Sequence, residues 1–517
     1  MDLKEIGEEI LKDRILFQLS NLAKDKDIPL FLVGGYVRDL FLGRHHPLCG
    51  QAGKDYDFTL PRKAASFISL IEESLHLHFF KVGKEEMDTV TYRTIKEDMS
   101  IDLTFFHEGR IDEDLRRRDF TINAIAFSLR DETFHWVEGA LQDIEKRVIR
   151  TVSNHSIDQD PLRMLRAVRY LCTLDGFVLN AALKEEISHK NELVRKLPGE
   201  RIKMELDHIL LSPQPAVGMK SLYETSLLLT LLPEMKGLET LGQNEHHHLN
   251  VLSHTLLMVE KISWALAWIA LHGRKIDTFD GAKPRFLNRG KKRRSVSTLS
   301  IPRALVLSAV EGSDRGVEWV DLPPEDGLSL YYAALFHDMG KQDTYSKDEK
   351  GRVHFYYHES FSSQRAEGIM ERLRFSNSMR SRILRLIQNH MRILNLSRET
   401  KETALKRLVH QMGDETPLLV LLALADKEAS RGILSIQVDE VVEGHCLRIL
   451  HLFTEKGIVH PLPLITGHDV MALGFSSGPK VGEILNFFRE KQVEGEIKTR
   501  GEALKILKGQ FAKGSDP

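Results

Sequence analysis

Cysteine is scarce in this sequence: three residues in 517, at Cys49, Cys172 and Cys446. Thiols this few and this far apart exclude a disulfide scaffold and fit a reducing compartment, so a cytoplasmic location is expected. Net charge is lacking too, since 72 basic residues face 74 acidic ones and leave −2. Binding through bulk positive charge is thereby excluded, and any nucleic-acid contact has to come from local basic patches. No uncharged apolar run reaches the roughly 18 residues of a spanning helix, and no membrane partner is expected. From Met1 to Lys24 acidic, basic and apolar residues alternate, without the apolar centre of a signal peptide. Internal repeats and heptad runs are absent as well. With 42% hydrophobic and 28% charged residues the chain is an ordinary globular mixture, which rules out wholesale disorder. At about 100–200 residues per domain, the length implies three or four domains.

The pattern that is present starts as α/β. The first 30 or so residues read as one amphipathic helix, with Ile6, Ile10, Ile15, Leu16 and Leu19 in a buried stripe and Pro29 as its end. Leu30 to Val33 is a short apolar run stopping at Gly34-Gly35, as a buried strand entering a tight turn would. Tyr56 to Leu60 and Ser100 to Phe106 read as further strands, with a helix from Ala64 to Leu75 between them. From Asp158 the pattern turns helical: Leu162, Leu165, Val168 and Leu171 recur at helical spacing, as do Ile202, Leu206, Ile209 and Leu210. One long stretch breaks it. Gly273 to Pro324 is polar and loop-like, reads as an insertion, and carries Lys291-Lys292-Arg293-Arg294, a solvated basic loop or an RNA-contacting arm.

Asp55 and Asp57 are two apart, so on a strand both carboxylates leave one face and can share a cation or bridge a pair about 4 Å apart. Asp102 supplies a third carboxylate if its strand lies alongside. Acidic pairs at this spacing are common on solvated strands, and a glycine pair ending a strand is often plain turn chemistry. Here, however, Gly34-Gly35 opens a helix carrying Val37, Arg38 and Asp39, which offers backbone N–H groups and a guanidinium to phosphates. Arg116-Arg117-Arg118-Asp119 then precedes Phe120-Thr121-Ile122-Asn123-Ala124. The three segments occur in order within one stretch of chain.

These segments carry a resemblance. Gly-Gly-Tyr-Val-Arg-Asp at 34–39, Asp-Tyr-Asp at 55–57 and Arg-Arg-Asp-Phe-Thr-Ile-Asn-Ala at 117–124 resemble the head of class II tRNA nucleotidyltransferases and bacterial poly(A) polymerases, of the DNA polymerase β superfamily. The similarity runs over residues 28–215. It implies an α+β protein: a small α/β nucleotidyltransferase head (1–138), then an elongated all-α neck (139–213), a body with an HD domain (214–430) and a tRNA-binding tail (431–517). It implies catalytic Asp55, Asp57 and Asp102, with two Mg²⁺ ions at the head. Gly34, Gly35, Arg38, Asp39, Arg117, Arg118, Asp119 and Asn123 are expected to hold the triphosphate and ribose.

Asp160 and Arg163 are three apart, with Arg166 and Arg169 continuing the same helical face. A carboxylate beside a guanidinium, rigidly held, accepts from and donates to one Watson–Crick edge; an intrahelical ion pair is the plainer alternative. In the family this helix bears a Glu-Asp-x-x-Arg motif that pairs with incoming CTP or ATP, matched here by Asp160 and Arg163, with Gln159 in place of the glutamate. Glu200-Arg201 with Glu205 resembles the motif bracing the end of the neck.

His254, His337-Asp338 and Asp426 follow the order of the HD phosphohydrolase site, and His and carboxylate ligands suit a divalent transition metal. His358 and His390 fall where two-metal members carry extra ligands, whereas His246 to His248 reads as a polar loop. Residues 466–482 resemble the tail that follows HD domains in bacterial tRNA nucleotidyltransferases, either approaching tRNA phosphates through glycines or packing as a helix–turn–helix.

Full CCA-adding members have a longer segment between the third carboxylate and the Arg-Arg-Asp motif; here only residues 103–116 separate Asp102 from Arg117. In the family, loss of this loop marks CC-adding enzymes. The expectation is therefore a tRNA nucleotidyltransferase with tRNA, CTP and ATP as partners, adding CMP as a CC-adding enzyme, with full CCA addition as the next reading and HD phosphohydrolysis as a second activity. An A-adding enzyme, a poly(A) polymerase, or an HD phosphohydrolase with an RNA-binding head are the alternatives. Poly(A) polymerases carry a basic segment after the second carboxylate, which Val82-Gly83-Lys84-Glu85-Glu86 lacks.

Overall fold

A computed structural model describes residues 2–44, 54–83, 90–96, 99–106, 110–242, 249–272, 322–430, 436–455 and 457–511. Cys49, Lys84 to Glu86, His107 to Gly109, His246 to His248 and residues 273–321 of the expected insertion, with Lys291 to Arg294, lie outside the described residues. Pro324, taken as the insertion's end, is instead the first residue of a helix. The described chain forms two units, one up to Pro233 and one from Glu234.

The first unit begins with two helices where one was expected, α1 (Leu3–Lys12) and α2 (Arg14–Asp25). Asp13 breaks the run. Its backbone is extended, and its carboxylate accepts from the N–H groups of Ile15 and Leu16, so it caps α2. The apolar stripe survives the break, with Ile6, Ile10, Leu16 and Leu19 buried and Ile15 half-buried.

Next come β1 (Phe31–Val33), α3 (Gly35–Phe41), β2 (Lys54–Pro61), α4 (Phe67–Leu75), β3 (Phe80–Val82), β4 (Thr91–Lys96), β5 (Met99–Phe106), α5 (Ile111–Arg116), β6 (Ile125–Ser128) and β7 (Phe134–Trp136). The strands make one sheet of order β3-β4-β5-β2-β1-β6-β7. Among the described strands of this sheet only β2 and β5 run parallel; every other neighbouring pair is antiparallel. Along β2 the period of two sends Tyr56, Phe58 and Leu60 into the core and Asp55 and Asp57 to the other face.

Helices then dominate: α6 (Ala140–Glu145), α7 (Ser156–Gln159), α8 (Leu162–Thr173), α9 (Ala181–Lys190), α10 (Gly199–Leu210), α11 (Pro215–Glu224) and α12 (Leu227–Leu231). Leu162, Leu165 and Val168 on α8 are buried, as are Ile202, Leu206, Ile209 and Leu210 on α10. The helices touch closely at Gly218, where a Cβ would lie 2.4 Å from Cys172 Sγ. The run is not wholly helical, because β8 (Val148–Ile149) pairs with β9 (Val178–Leu179).

In the second unit α13 (Val251–His272) packs against the helices Pro324–Phe336 and Thr416–Ala429. By length and composition α13 could cross a membrane, yet His254, Val259, Ile262 and Leu266 are buried inside the helical core. A short hairpin, Tyr345–Lys347 with Val353–Phe355, again interrupts the expected helical run. At the C-terminal end Thr466 caps a helix in a reciprocal box with Asp469. Ile465, Val470, Val481, Ile484, Phe488 and Leu507 bury each other there, a packing role for this helix–turn–helix.

Candidate active site and histidine cluster

The parallel register of β2 and β5 sets Asp57 opposite Asp102 and Asp55 opposite Ser100. All three expected carboxylates therefore lie on one face of two adjacent strands. The Ser100 hydroxyl donates to Asp55. Burial, with Asp55 beside it, pushes Asp57 up to about 6, although Arg118 pulls the other way. Like-charge carboxylates gathered this way fit a divalent cation that would ionise them together. Sequence reasoning missed one member of the group. Arg93 on β4 is paired with Asp102 and donates to both its oxygens, at 2.7 and 2.5 Å.

Beside the carboxylates the chain turns at Gly34, whose φ of +78° suits glycine. A side chain at Gly34 would begin 3.4 Å from Arg118 Nη1 and 3.5 Å from Asp57 Oδ2, so the turn, the guanidinium and the carboxylate adjoin. Arg38 is buried and donates to Asn123 Oδ1 at 2.7 Å and to Asp39 Oδ1 at 2.9 Å. Asp119 accepts from Asn123 and from the Phe120 N–H, and pairs with Arg166 at 2.6 Å. Thus Arg38, Asn123 and Asp119 form a buried lattice, while Arg117 and Arg118 share Asp114 and keep more exposure.

The expected Asp160–Arg163 helix is interrupted. Asp160 lies between α7 and α8 with an extended backbone, because Pro161 forces the preceding residue out of the helical region. Its carboxylate meets Arg201 at 3.2 Å rather than Arg163. Arg163 donates to the carbonyls of Arg117 (2.7 Å) and Ser156 (3.2 Å). Arg169 pairs with Glu205 at 3.1 Å and, like Arg38, lies against the Tyr170 ring.

In the second unit the structure brings together all six expected residues: His254 on α13, His337 and Asp338 after the Pro324–Phe336 helix, His358, His390 and Asp426. His254 Nε2 is 3.2 Å from Asp426 and 3.8 Å from Asp338; His358 Nε2 is 3.3 Å from Asp338 and 3.1 Å from His390 Nε2. The Nδ1 atoms of His337, His358 and His390 lie 2.7–2.8 Å from the carbonyls of Ala334, Phe355 and Ile387. Each Nδ1 thus donates to a backbone oxygen and aims Nε2 inward, the orientation a metal ligand needs. Burial, then the neighbouring His337, holds His390 down at about 3 and so neutral. Burial alone would raise Asp338, but His337 and Lys341 outweigh it and hold the carboxyl well below the usual range. Lys341, without an assigned role in the sequence, contacts Asp338 at 2.7 Å.

A poly A polymerase head domain matches residues 30–150, an RNA and SrmB-binding site of polymerase A matches 176–238, and a tRNA nucleotidyltransferase domain 2 matches 344–507. The CC-adding tRNA nucleotidyltransferase of Thermus thermophilus is 31% identical over 486 residues, which cover 92% of each chain. The chain belongs to the tRNA nucleotidyltransferase family. It is an enzyme of that type, with the α+β fold its motifs implied. Another relative, the A-adding tRNA nucleotidyltransferase of Deinococcus radiodurans, is 30% identical and covers 91% of this chain and 93% of its own. A CCA-adding enzyme solved with CTP has the same fold at a TM-score of 0.60 and 18% identity, over 99% of both chains. The Thermotoga maritima CCA-adding enzyme complexed with tRNA gives 0.56 at 20% identity, again over 99% of both.

Proposed function

We propose that this tRNA nucleotidyltransferase adds two CMP residues from CTP to the 3′ end of tRNA and then stops, in the cytoplasm and without a nucleic-acid template. One observation carries CC over CCA addition: β5 ends at Phe106 and α5 starts at Ile111, so almost no chain remains for a lever after the third carboxylate. Refitting a base-reading pair from cytosine to adenine requires something to push on it. The named relatives include both a CC-adding and an A-adding enzyme, so identity does not choose between them.

In this reading Asp55 and Asp57 hold two Mg²⁺ ions, with Asp102 as the third carboxylate. When bound, Mg²⁺ lowers the pKa of the tRNA 3′-hydroxyl and neutralises charge on the leaving pyrophosphate. Gly34, Gly35, Arg117 and Arg118 meet the triphosphate; Arg38, Asp39, Asp119 and Asn123 shape that wall from behind. Asp160 and Arg163 in the neck (139–213) read the base, Arg166 and Arg169 complete the nucleotide-binding set from α8, where they are tied to Asp119 and Glu205, and the tail 431–517 contacts tRNA. The test uses tRNA lacking all three terminal nucleotides, with CTP and excess ATP. Two CMP additions and no AMP support the reading; a complete CCA end overturns it, and AMP addition to a CC end points to an A-adding enzyme.

The ligand-ready imidazoles of the second unit favour a second reading, an HD-type phosphohydrolase. There His254, His337, Asp338 and Asp426, extended by His358 and His390, hold a divalent transition metal such as Ni²⁺, Mn²⁺ or Co²⁺. Phosphodiester or phosphomonoester hydrolysis with these ions, lost in His337→Ala, tests it.

A further inference from the structure

The carboxylate row of the head continues past Asp102. Arg93 faces Asp102 across the antiparallel β4–β5 ladder, as Asp57 faces it across the parallel β2–β5 ladder. Residues directly paired on adjacent strands share a face of the sheet, so Asp57, Asp102 and Arg93 stand side by side. The guanidinium holds Asp102 with two donors, and Asp55 and Asp57 add to the negative field around it. A carboxylate that gives both oxygens to an arginine fork keeps only the remaining lone pair of each for a hard cation, with the guanidinium charge alongside. The hold is nevertheless a surface one: the Arg93 side chain is 43% exposed against 17% for Asp102, and pairs of this exposure are weak. A divalent ion carries twice the charge in a smaller volume and competes well for the same oxygens.

We propose that Arg93 is the resident counter-ion of the head, occupying Asp102 until a divalent cation displaces it. The proposal rests on the metal reading of Asp55 and Asp57 given above. Arg93 is then a positioning residue that decides whether the third carboxylate joins the cation site. Without it Asp102 is available from the start. A lysine in its place supplies the charge but not the fork, and restrains Asp102 only in part.

The experiment is a Mn²⁺ titration of the full chain, followed by electron paramagnetic resonance, in a double-mutant cycle. The head's share of the binding is the part lost in Asp57→Ala, which separates it from binding by the histidine cluster. Arg93→Met should tighten head binding about tenfold when Asp102 is present, but no more than about twofold in the Asp102→Asn background, where only a through-space charge remains. Arg93→Lys should fall between. Equal tightening in both backgrounds, or none in the first, overturns the proposal. Arg93→Gln serves the same cycle should the methionine variant unfold the sheet edge. A chain whose Mn²⁺ binding is unaffected by Asp57→Ala overturns the metal reading itself and this proposal with it, a result distinct from an uncoupled cycle.

Discussion

The Asp160 carboxylate is held by Arg201, 3.2 Å away and 41 positions further along the chain, while Arg163 is committed to two backbone carbonyls. The proposed base-reading pair is therefore two separately anchored groups, one steadied by α10 and one by the end of α5. Their independence makes each anchor testable alone.

Arg201→Ala should leave the carboxylate free to swing. The pair is part-exposed, so stability should change by less than about 1 kcal/mol. Discrimination should suffer more: kcat/KM for CTP should fall about threefold to tenfold, with more UMP or AMP misincorporated in mixed-nucleotide assays. Unchanged discrimination would mean that Arg201 only braces the helix.

Asp55→Ala or Asp57→Ala should abolish nucleotide incorporation while tRNA binding, read by gel shift, stays within about twofold. Near-normal turnover in either variant would refute the two-metal assignment.

Asp57 also predicts a pH dependence. Its folded pKa, pushed up to about 6 by burial and by Asp55, exceeds the ordinary carboxylate value of 3.8, so the metal-free fold holds an extra proton between these limits. Raising the pH through that window ionises a buried carboxylate and costs stability; a cation needs the ionised form and expels the proton. Mg²⁺ should accordingly raise the melting temperature more at pH 7.5 than at pH 5. Affinity should weaken about tenfold per pH unit below about 6. Asp57→Asn should erase the difference.

Gly340→Ala should be costly in the second unit. A Cβ there would lie 2.3 Å from the His358 carbonyl and 2.5 Å from the Ser362 N–H, both backbone atoms that cannot step aside. A loss of about 2–4 kcal/mol is expected in chemical denaturation. Because His358 must shift, transition-metal binding should weaken, whereas CMP addition should persist.

How much of this was legible in advance depends on the range of the interaction. The Asp55/Asp57 spacing, the glycine turn at Gly34, the buried stripes of α8 and α10, and the order His254, His337-Asp338, Asp426 are local or ordinal features. Side-chain period and backbone preference act over a few residues, so the chain alone determines them. The break at Asp13 and the extended backbone at Asp160 were open to the same reasoning, through side-chain capping and the residue before proline, yet longer apolar periodicity masked both. Register is different. That Asp57 faces Asp102, that Arg93 closes on the same carboxylate, that Arg201 reaches Asp160, and that six residues spread from 254 to 426 meet in one cluster are decisions of tertiary structure. No local preference encodes them; they follow from which apolar faces bury together, and burial carries the polar partners on the opposite faces into place.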